Sequence, residues 1–429
     1  MNMIMSAFPI EWVRQQFPAL NTSDQFIFFD NGAGAQIPQV VLDTVQHHLV
    51  RHNVQRGGRY PRSLAVDIAL QSARESVATF LNAREPREVA FGMNATSFIR
   101  LVSLAIGEIL GKRKEIVVTD LDHEANIATW IALQGKGVKI VWWRMRQDGT
   151  LHSDDLQPLL TDRTRLVACA VASNALGSIV DVKEVARMAH AAGAEVFLDA
   201  VHYAPHGVMD VQDWDCDYLV CSGYKIFAPH MGFLWGKREL LERLPTFRED
   251  FIPDEIPGKI EVGTYVYENV AGMDAAVHYL EELGRHLASG PQNGSPRSAV
   301  VNAMEGIRGY EKALVGELLG RLAESDGITV YGIQESKRLD QRVPTVCFNV
   351  NGMSAAAVAE RCAENAIGVR DGNMYSPRLL RRMGVSPEAG AVRASLVHYN
   401  TKEEVARFVG VLQTIAASAG ETVEPARSN

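Results

Sequence analysis

Short apolar runs alternate with amphipathic stretches through the middle of the chain. Residues 115–120, 138–143, 165–171, 194–200 and 217–222 read as strands, and residues 181–193 have a helical period that closes at Gly193. Strand–helix–strand repetition predicts a mostly parallel sheet covered by helices. Such sheets bind ligands at the carboxyl ends of their strands, where Asp199, Ser222 and Lys225 fall. The pattern therefore favours an α/β fold with a site at that edge.

A stretch rich in Gly, Pro and Ser, LASGPQNGSPRS at residues 287–298, predicts a loop that divides the chain of 429 residues. After it, residues 299–325 read as a helical hinge, followed by strand candidates at 343–350 and 391–398. We expect an N-terminal segment, residues 1–25, that packs near the small domain. A large domain at residues 26–286 follows, and then the loop at residues 287–298. A small α/β C-terminal domain at residues 299–418 and a frayed polar tail at residues 419–429 complete the chain.

Composition excludes several functions. The net charge is −8, and the cluster of Arg378, Arg381 and Arg382 is too small for nucleic-acid binding, which needs many phosphate contacts. The five cysteines are odd in number and lack a CxxC pair, so a disulfide framework or a zinc site is not expected and a reducing compartment fits better. The N-terminus does not resemble a signal peptide, and no apolar run reaches the ~18–20 residues of a membrane span. We expect a cytoplasmic protein with no metal and no membrane association.

Three features with separate chemistry lie along the chain. Lys225 stands in SGYKIFAPHMG, and an apolar setting shifts a lysine toward its neutral, nucleophilic form. Asp199 ends an apolar strand, where a carboxylate is costly unless it has a partner such as a cationic ring nitrogen. GMNATSF precedes an apolar helix whose N-terminus suits a phosphate, although Asn94 or Thr96 there is also an ordinary helix cap. Together they describe a site for pyridoxal 5′-phosphate.

Other polar residues near these strands are ambiguous when taken one at a time. His123 lies just past a strand, where a histidine is more often structural than catalytic. Asn174 follows another strand and is equally typical of a turn, while His202 in DAVHYAPH follows Asp199 closely enough to face the same site. Arg393 alone reads as a surface ion pair. Only their order along the chain gives these residues a shared interpretation.

The order resembles the class V aminotransferase group of fold-type I pyridoxal phosphate enzymes, in its cysteine desulfurase-like branch. The resemblance covers roughly residues 26–412, and the matching stretches are FFDNGAGAQIP, NATSF, DHEANIATW, SNALGSIVDV, DAVHYAPH, SGYKIFAPHMG, EVGTYVYE and RASLVHYNTKEEV. It implies a large domain with a mostly parallel sheet that holds the cofactor and a smaller α/β C-terminal domain.

The resemblance also implies roles for individual residues. Lys225 would carry the cofactor as a Schiff base and move the Cα proton, Asp199 would pair with the pyridine nitrogen, and His123 would stack on the ring. The remaining cofactor contacts are implied for Asn174 and His202 near the phenolic oxygen, and for Ala95, Thr96 and Ser222 at the phosphate. Thr264 would reach the phosphate of the neighbouring subunit, which implies a homodimer. Arg393 would clamp a substrate carboxylate in a bidentate manner.

This chain departs from true cysteine desulfurases at the catalytic loop. They place a nucleophilic cysteine on a loop upstream of the arginine, and VRDGNMYSPRLLRRMGV at residues 369–385 contains none. Cys362 lies before that loop, in a helical stretch where a buried thiol is expected. Tyr224 and His202 also stand where desulfurases commonly carry histidine and glutamine. The departures argue against transfer of sulfur to the protein.

We therefore favour a lyase that cleaves a Cβ–S or similar bond of a β-substituted amino acid. An epimerase or racemase and an aminotransferase remain alternatives, a true cysteine desulfurase is less favoured, and a non-catalytic scaffold would be expected to lose Lys225, Asp199 or Arg393. Tyr375 either donates a proton to the leaving group or only packs. Arg56 and Tyr60 either contact the substrate or cap a helix.

Overall fold

The computed structural model describes residues 8–288 and 294–421, and these residues contain a seven-stranded sheet, a four-stranded sheet and a two-stranded pair, with helices packed on the two larger sheets. The strands are β1 Ile27–Phe28, β2 Val89–Gly92, β3 Glu115–Thr119, β4 Lys139–Trp143, β5 Thr164–Ala170, β6 Glu195–Asp199, β7 Tyr218–Ser222, β8 Gly232–Gly236, β9 Ile328–Tyr331, β10 Thr345–Val350, β11 Ile367–Gly368, β12 Arg370–Gly372 and β13 Ala391–Ser395.

The α-helices cover the faces of these sheets and link the two halves of the chain. They are α1 Ile10–Gln16, α2 Gln39–Arg51, α3 Pro61–Leu81, α4 Ala95–Glu108, α5 Ala125–Ile131, α6 Ser153–Leu156, α7 Val182–Ala191, α8 Val211–Trp214, α9 Arg238–Arg243, α10 Tyr267–Leu287, α11 Pro296–Ala323, α12 Ala355–Glu364, α13 Pro377–Arg382 and α14 Lys402–Glu421.

The larger sheet has seven strands in the order β2-β8-β7-β6-β5-β3-β4. Strands β7, β6, β5, β3 and β4 are parallel neighbours, and β8 runs antiparallel to both β2 and β7. Every residue of β3, β5 and β7 is buried, which explains their nearly continuous apolar sequences. The predicted α/β fold with a mostly parallel sheet is confirmed. The carboxyl ends of β5, β6 and β7 meet at one edge of the sheet.

The smaller sheet is antiparallel, with four strands in the order β12-β13-β10-β9. Helices α11, α12 and α14 cover it with a core of its own, which includes Leu318, Phe348, Val392 and Phe408. A short parallel pair, β1 with β11, ties the chain before the large sheet to the chain after it. The α11 helix spans most of the predicted helical hinge, and it packs along α10 of the larger part.

The described part of the N-terminal segment contacts both halves of the molecule. Arg14 forms an ion pair with Glu404 on α14 at 2.8 Å, and Phe8 stacks on Tyr310 of α11. Phe17 packs against Phe227 near the larger sheet. Residues 1–7, 289–293 of the predicted loop and 422–429 of the predicted tail lie outside the described residues, whereas α14 continues to Glu421. Within the described ranges, every helix is too short or too polar to cross a lipid bilayer.

Candidate functional site

A cavity of about 380 Å³ opens at the carboxyl edge of the large sheet, beneath the small sheet. Ten of the twelve residues predicted for the site line it: Ala95, Thr96, His123, Asn174, Asp199, His202, Ser222, Lys225, Tyr375 and Arg393. Residues Gly32, Ala33, Ile99, Ala125, Ala170, Ala172, Val201, Tyr224 and Arg370 complete the wall. The sheet edge and the small sheet thus enclose one polar chamber between them.

Lys225 ends a short 3-10 turn, Gly223–Lys225, that directly follows β7. Its ammonium donates a hydrogen bond to the carbonyl oxygen of Gly32, and Nζ lies 4.8 Å from the ring centroid of Tyr224. Burial and the positive charge of Arg393 lower the pKa of Lys225 to about 7, although nearby carboxylates oppose the change. A substantial fraction of Lys225 is therefore neutral near pH 7, the form in which an amine is nucleophilic.

Asp199 is the last residue of β6 and points into the same chamber. Its Oδ1 accepts a hydrogen bond from the backbone N–H of Val201 at 3.0 Å, and it forms no ion pair with any described residue. Burial raises the pKa of Asp199 to about 6, although the Lys225 charge opposes the rise. A buried carboxylate without a partner cation destabilises the folded protein, and a cation bound beside Asp199 would remove that penalty.

The N-terminus of helix α4 borders the cavity, which Ala95 and Thr96 line. Asn94 caps α4 by accepting the N–H of Ser97 at 2.9 Å, and the N–H of Ala95 donates to Ser222 Oγ at 3.3 Å. Gly232 permits this close approach, because a Cβ there would lie 2.5 Å from the carbonyl carbon of Asn94. Backbone N–H groups at the positive end of a helix and a hydroxyl together make a phosphate cradle.

His123 and Tyr375 lie on the side of the chamber toward solvent. Nδ1 of His123 accepts the N–H of Ala125 at 3.1 Å, which assigns the neutral tautomer with its proton on Nε2. Burial lowers the pKa of His123 to about 4, and Lys225 and Arg393 add to the effect, so the ring stays uncharged. The ring centroids of His123 and Tyr375 are 5.7 Å apart.

Arg393 connects the two parts of the molecule at the cavity. Its Nη1 donates to the carbonyl oxygen of Asn174 at 2.8 Å, and its Nη2 lies 3.2 Å from Asp30 Oδ1. Its buried Nε has no hydrogen-bond partner within residues 8–288 and 294–421. Gly32 makes room for the guanidinium, because a Cβ there would lie 2.9 Å from Arg393 Cζ. A guanidinium that lines a cavity is suited to bind a ligand carboxylate.

Asn174 and His202 make hydrogen bonds to the C-terminal half of the chain. The amide of Asn174 donates to Met374 O at 2.7 Å, and its Oδ1 accepts from Ser376 Oγ at 3.0 Å. His202 Nε2 lies 2.9 Å from Thr345 Oγ1. Burial lowers the pKa of His202 well below its ordinary value, which keeps the imidazole neutral. Both predicted cofactor contacts are therefore oriented by residues from the small sheet and the loop beside it.

The loop between β12 and α13 is strained where it meets the cavity. Met374 and Tyr375 have φ angles of 54° and 57°. These angles lie in the left-handed region of the backbone, which residues other than Gly and Asn rarely adopt. Three hydrogen bonds hold the loop in place: Glu124 N–H donates to Tyr375 O at 2.8 Å, the Asn174 amide donates to Met374 O, and Ser376 Oγ donates to Asn174 Oδ1. Met374 is buried, whereas Tyr375 is 58% exposed at the cavity mouth.

Arg56 and Thr264, the other two predicted residues, do not line the cavity of their own chain. They lie together on an exposed surface, where Gln55 Nε2 donates to Thr264 Oγ1 at 2.7 Å and Arg56 Nε lies 3.2 Å from Asp67 Oδ1. In a single chain, these two residues therefore have no contact with the chamber.

Sequence reasoning missed three charged residues at the site. Arg370 lines the cavity as the register partner of Arg393 in the β12–β13 pair, and both arginines contact Asp30. Asp122 is buried beside His123, where burial raises its pKa to about 7 and the Asp199 charge adds to the rise. Arg370 stands in the quoted loop sequence, but only the strand pairing indicates that it faces Arg393.

Comparison with known proteins agrees with this geometry. The family model described as Aminotransferase class-V matches residues 27–290 and 301–408. A probable cysteine desulfurase of Synechocystis sp. is 34% identical over 420 residues and covers 94% of each chain. Aminotransferase-like protein FGM3 of Gibberella zeae is 33% identical and covers 96% of this chain and 100% of its own length.

The apo structure of the cysteine desulfurase from Thermococcus onnurineus NA1 superposes with a TM-score of 0.85 and 27% identity, and covers 97% of this chain and 100% of that one. Class-V aminotransferases and cysteine desulfurases use pyridoxal 5′-phosphate, so the predicted family resemblance and the predicted cofactor are confirmed.

The residues present fit that cofactor. Asp199 lacks a cation that a pyridinium nitrogen would supply, and the α4 N-terminus with Ser222 offers donors for a phosphate. Lys225 is buried and partly neutral, as a lysine that forms a Schiff base must be. The chamber is also large enough for a small cofactor and an amino acid together.

We predict that Asp199→Asn stabilises the cofactor-free protein at neutral pH while weakening cofactor binding. The Asp199 pKa rises from 3.8 to about 6 in the folded state, so the cost of ionising this carboxyl accumulates as pH rises from about 4 to about 6 and persists above that range. Asparagine does not ionise, and we expect a gain of about 2–3 kcal/mol above this window. Urea unfolding at several pH values and a cofactor titration measure the two effects.

The exposed Asp162 provides the matched control, because Asp162→Asn removes a carboxylate that is not buried. Its unfolding free energy and cofactor affinity should both remain at the wild-type values. An Asp199→Asn protein that is less stable than wild type at every pH would contradict the electrostatic argument.

Proposed function

The chain belongs to the class-V aminotransferase family of pyridoxal phosphate enzymes that act on amino acids, and we propose that it is a lyase that cleaves the bond between Cβ and a sulfur or similar substituent. The observation that carries this proposal is the composition of the cavity wall. It contains the lysine, aspartate and arginine that family chemistry on an amino acid requires, but no cysteine among the described lining residues.

The cysteines of this chain are poorly placed to accept sulfur. All five are buried, and Cys362 is enclosed within α12. Cys347 stands opposite Arg393 in the β10–β13 pair, yet burial raises its pKa to about 12. A thiol must ionise to act as a nucleophile, and these thiols remain protonated at neutral pH. The substituent that leaves Cβ is therefore released rather than transferred to the protein.

Arg393 and Lys225 have separate roles, the first in substrate binding and the second in proton transfer. The guanidinium of Arg393, which lines the cavity, binds and orients the α-carboxylate of the substrate. Lys225, with its lowered pKa, takes the proton from Cα as a base, and its position at the end of the short turn after β7 fixes the direction of that transfer. The bound cofactor supplies an electron sink for the charge that develops at Cα, and Asp199 holds the cofactor's ring nitrogen protonated.

Tyr375 is the group we propose to protonate the leaving substituent. It lies at the cavity mouth, on the side of His123, and its backbone is held in a strained conformation by Glu124 and Asn174. Strain of this kind persists only where the surrounding structure enforces it, and it is common at functional sites. The loop that bears a cysteine in desulfurases would here present a phenol.

We also propose a homodimer in which Thr264 and Arg56 serve the cavity of the partner subunit. Both residues are exposed, adjacent to one another and absent from the cavity of their own chain. Thr264 would bind the phosphate and Arg56 would contact the substrate. The exposed apolar side chains of Tyr60, Leu64 and Ile68 on or near α3 follow Arg56 in sequence and are consistent with a covered surface.

We predict that the holoprotein converts a β-substituted amino acid into a 2-oxo acid and ammonia and releases the β-substituent. Cysteine, cysteine sulfinate and several S-conjugates of cysteine would be incubated in deuterated water and the products identified by mass spectrometry. Lys225→Ala should abolish turnover, because it removes both the cofactor anchor and the base. Replacing Cys347 and Cys362 with alanine should leave the product pattern unchanged.

Other products would contradict the lyase proposal and indicate a different reaction. Alanine from cysteine or its sulfinate would indicate a desulfurase or desulfinase, whereas deuterium at Cα of uncleaved substrate would indicate epimerisation. An oxo acid that keeps the β-substituent would indicate transamination. No change in the visible spectrum with any amino acid would favour a non-catalytic scaffold.

We predict that Tyr375→Phe slows turnover by about 10²-fold with little change in cofactor affinity, as expected when a general acid is lost. The loss should shrink for substrates whose leaving group is already a weak base, because such a group departs without a proton. A series of S-conjugates with graded thiol acidity measures this dependence. Tyr331→Phe, on β9 and away from the cavity, is the control. A uniform loss across the series would assign Tyr375 a packing role.

We predict that hybrid dimers of Lys225→Ala and Thr264→Ala chains recover activity that both parent homodimers lack. In the hybrid, one cavity combines Lys225 of one chain with Thr264 of its partner subunit, so roughly half of the wild-type activity should return. Differently tagged chains allow the hybrid to be isolated and assayed. A hybrid no more active than its parents would place Thr264 outside the partner's site.

A further inference from the structure

His202 and Thr345 form a hydrogen bond that joins the two parts of the molecule at the cavity. His202 lies in the turn after β6 of the large sheet, and Thr345 begins β10 of the small sheet. Their side chains are buried, and Nε2 of His202 is 2.9 Å from Oγ1 of Thr345. Because Thr345 occupies Nε2, the nitrogen of His202 that remains for a ligand in the cavity is Nδ1.

Thr345 is itself rigidly placed. Arg342 is buried and donates to the carbonyl oxygens of Thr345 and Leu176, which fixes the start of β10 against the loop after β5. Gly177, with φ of 78°, allows this approach, because a Cβ there would lie 2.8 Å from Thr345 O. The backbone that carries the hydroxyl therefore has little freedom to move away from His202.

Burial is the main reason that the pKa of His202 is lowered, and neighbouring groups on other elements add to it. Within its own turn, the His206 ring lies 5.7 Å away, and His206 is paired with Glu311 of α11 at 2.8 Å. Lys225 after β7 and Arg393 on β13 contribute positive charge, and Thr345 on β10 is uncharged. A neutral imidazole has one donor and one acceptor nitrogen, so a single hydrogen bond at Nε2 decides which nitrogen carries the proton.

We propose that Thr345 is a positioning residue that donates its hydroxyl proton to Nε2 of His202 and thereby holds the Nδ1–H tautomer, with that N–H available to an anionic oxygen of the cofactor ring. The inference rests on the cofactor site described above and holds whichever reaction the enzyme catalyses. Thr345 on the small sheet thus determines which ring nitrogen of His202, in the turn after β6 of the large sheet, donates to the cofactor.

The test compares Thr345→Val, which keeps the shape but removes the hydroxyl, with Thr345→Ser, which keeps the hydroxyl. The holoproteins would be titrated with pH while the visible absorption band of the bound cofactor is recorded. A donor to the ring oxygen stabilises its anion and lowers the pH at which the band changes. Thr345→Val should raise that midpoint by about half to one pH unit, the effect of one hydrogen bond, and Thr345→Ser should restore it.

Thr329→Val is the matched control, because Thr329 lies on β9 of the same sheet and donates only to Asn351 among the hydrogen bonds described. It should leave the midpoint unchanged even if it alters thermal stability. A folded Thr345→Val holoprotein with the wild-type midpoint would overturn the proposal. If the wild-type protein forms no Lys225-dependent band at all, the proposed cofactor site itself is wrong. That outcome differs from a wild-type midpoint in Thr345→Val, which would contradict only the role of Thr345.

A second measurement needs no Thr345 variant. Nitrogen-15 NMR of histidine-labelled holoprotein reports which ring nitrogen carries the proton, and His202→Gln identifies the relevant signals. We expect Nδ1 protonated and Nε2 unprotonated across the neutral range. An imidazolium, or a proton on Nε2, would contradict the assignment of Thr345 as the donor.

Discussion

The guanidinium of Arg393 is the contact on which the architecture of the site depends. It projects from a strand of the small sheet, donates to the carbonyl of Asn174 in the loop after β5, and pairs with Asp30 near the N-terminal part of the chain. Three segments that are distant in sequence therefore meet at one cation on the cavity wall. The pKa of Lys225 is lowered first by its own burial and then by the positive charge of Arg393, so the cation that joins these segments also favours the neutral form of the lysine.

The site keeps unsatisfied polar groups at the expense of stability. Asp199 lacks a counter-ion, and Arg370 and Arg393 each have a buried Nε without a partner among the described residues. A cofactor that pairs with Asp199 removes one of these penalties, so cofactor binding should stabilise the fold as well as fill the chamber. This arrangement explains why polar residues persist in a region otherwise built from apolar strands.

Much of this site could be predicted because parallel strands carry their end residues to a common edge. Asp199, Ser222 and Lys225 follow from the apolar runs that precede them, and the motif order assigned Asn174 and Arg393. Arg370, Asp30 and Thr345 could not be assigned, because their roles depend on pairings such as β12 with β13 and β10 with the turn after β6. Such pairings involve residues far apart in the chain, and local sequence patterns do not predict them. The exposed position of Arg56 and Thr264 likewise became visible only in three dimensions.

The strained loop at Met374 and Tyr375 shares a side chain with the cavity wall. An amide NH2 group has two N–H donors, so Asn174 can hold Met374 O with one of them and offer the other to a ligand in the cavity that it lines. The group that would contact the ligand also fixes the conformation of the loop. A substitution at Asn174 would therefore change the cavity wall and the loop at the same time.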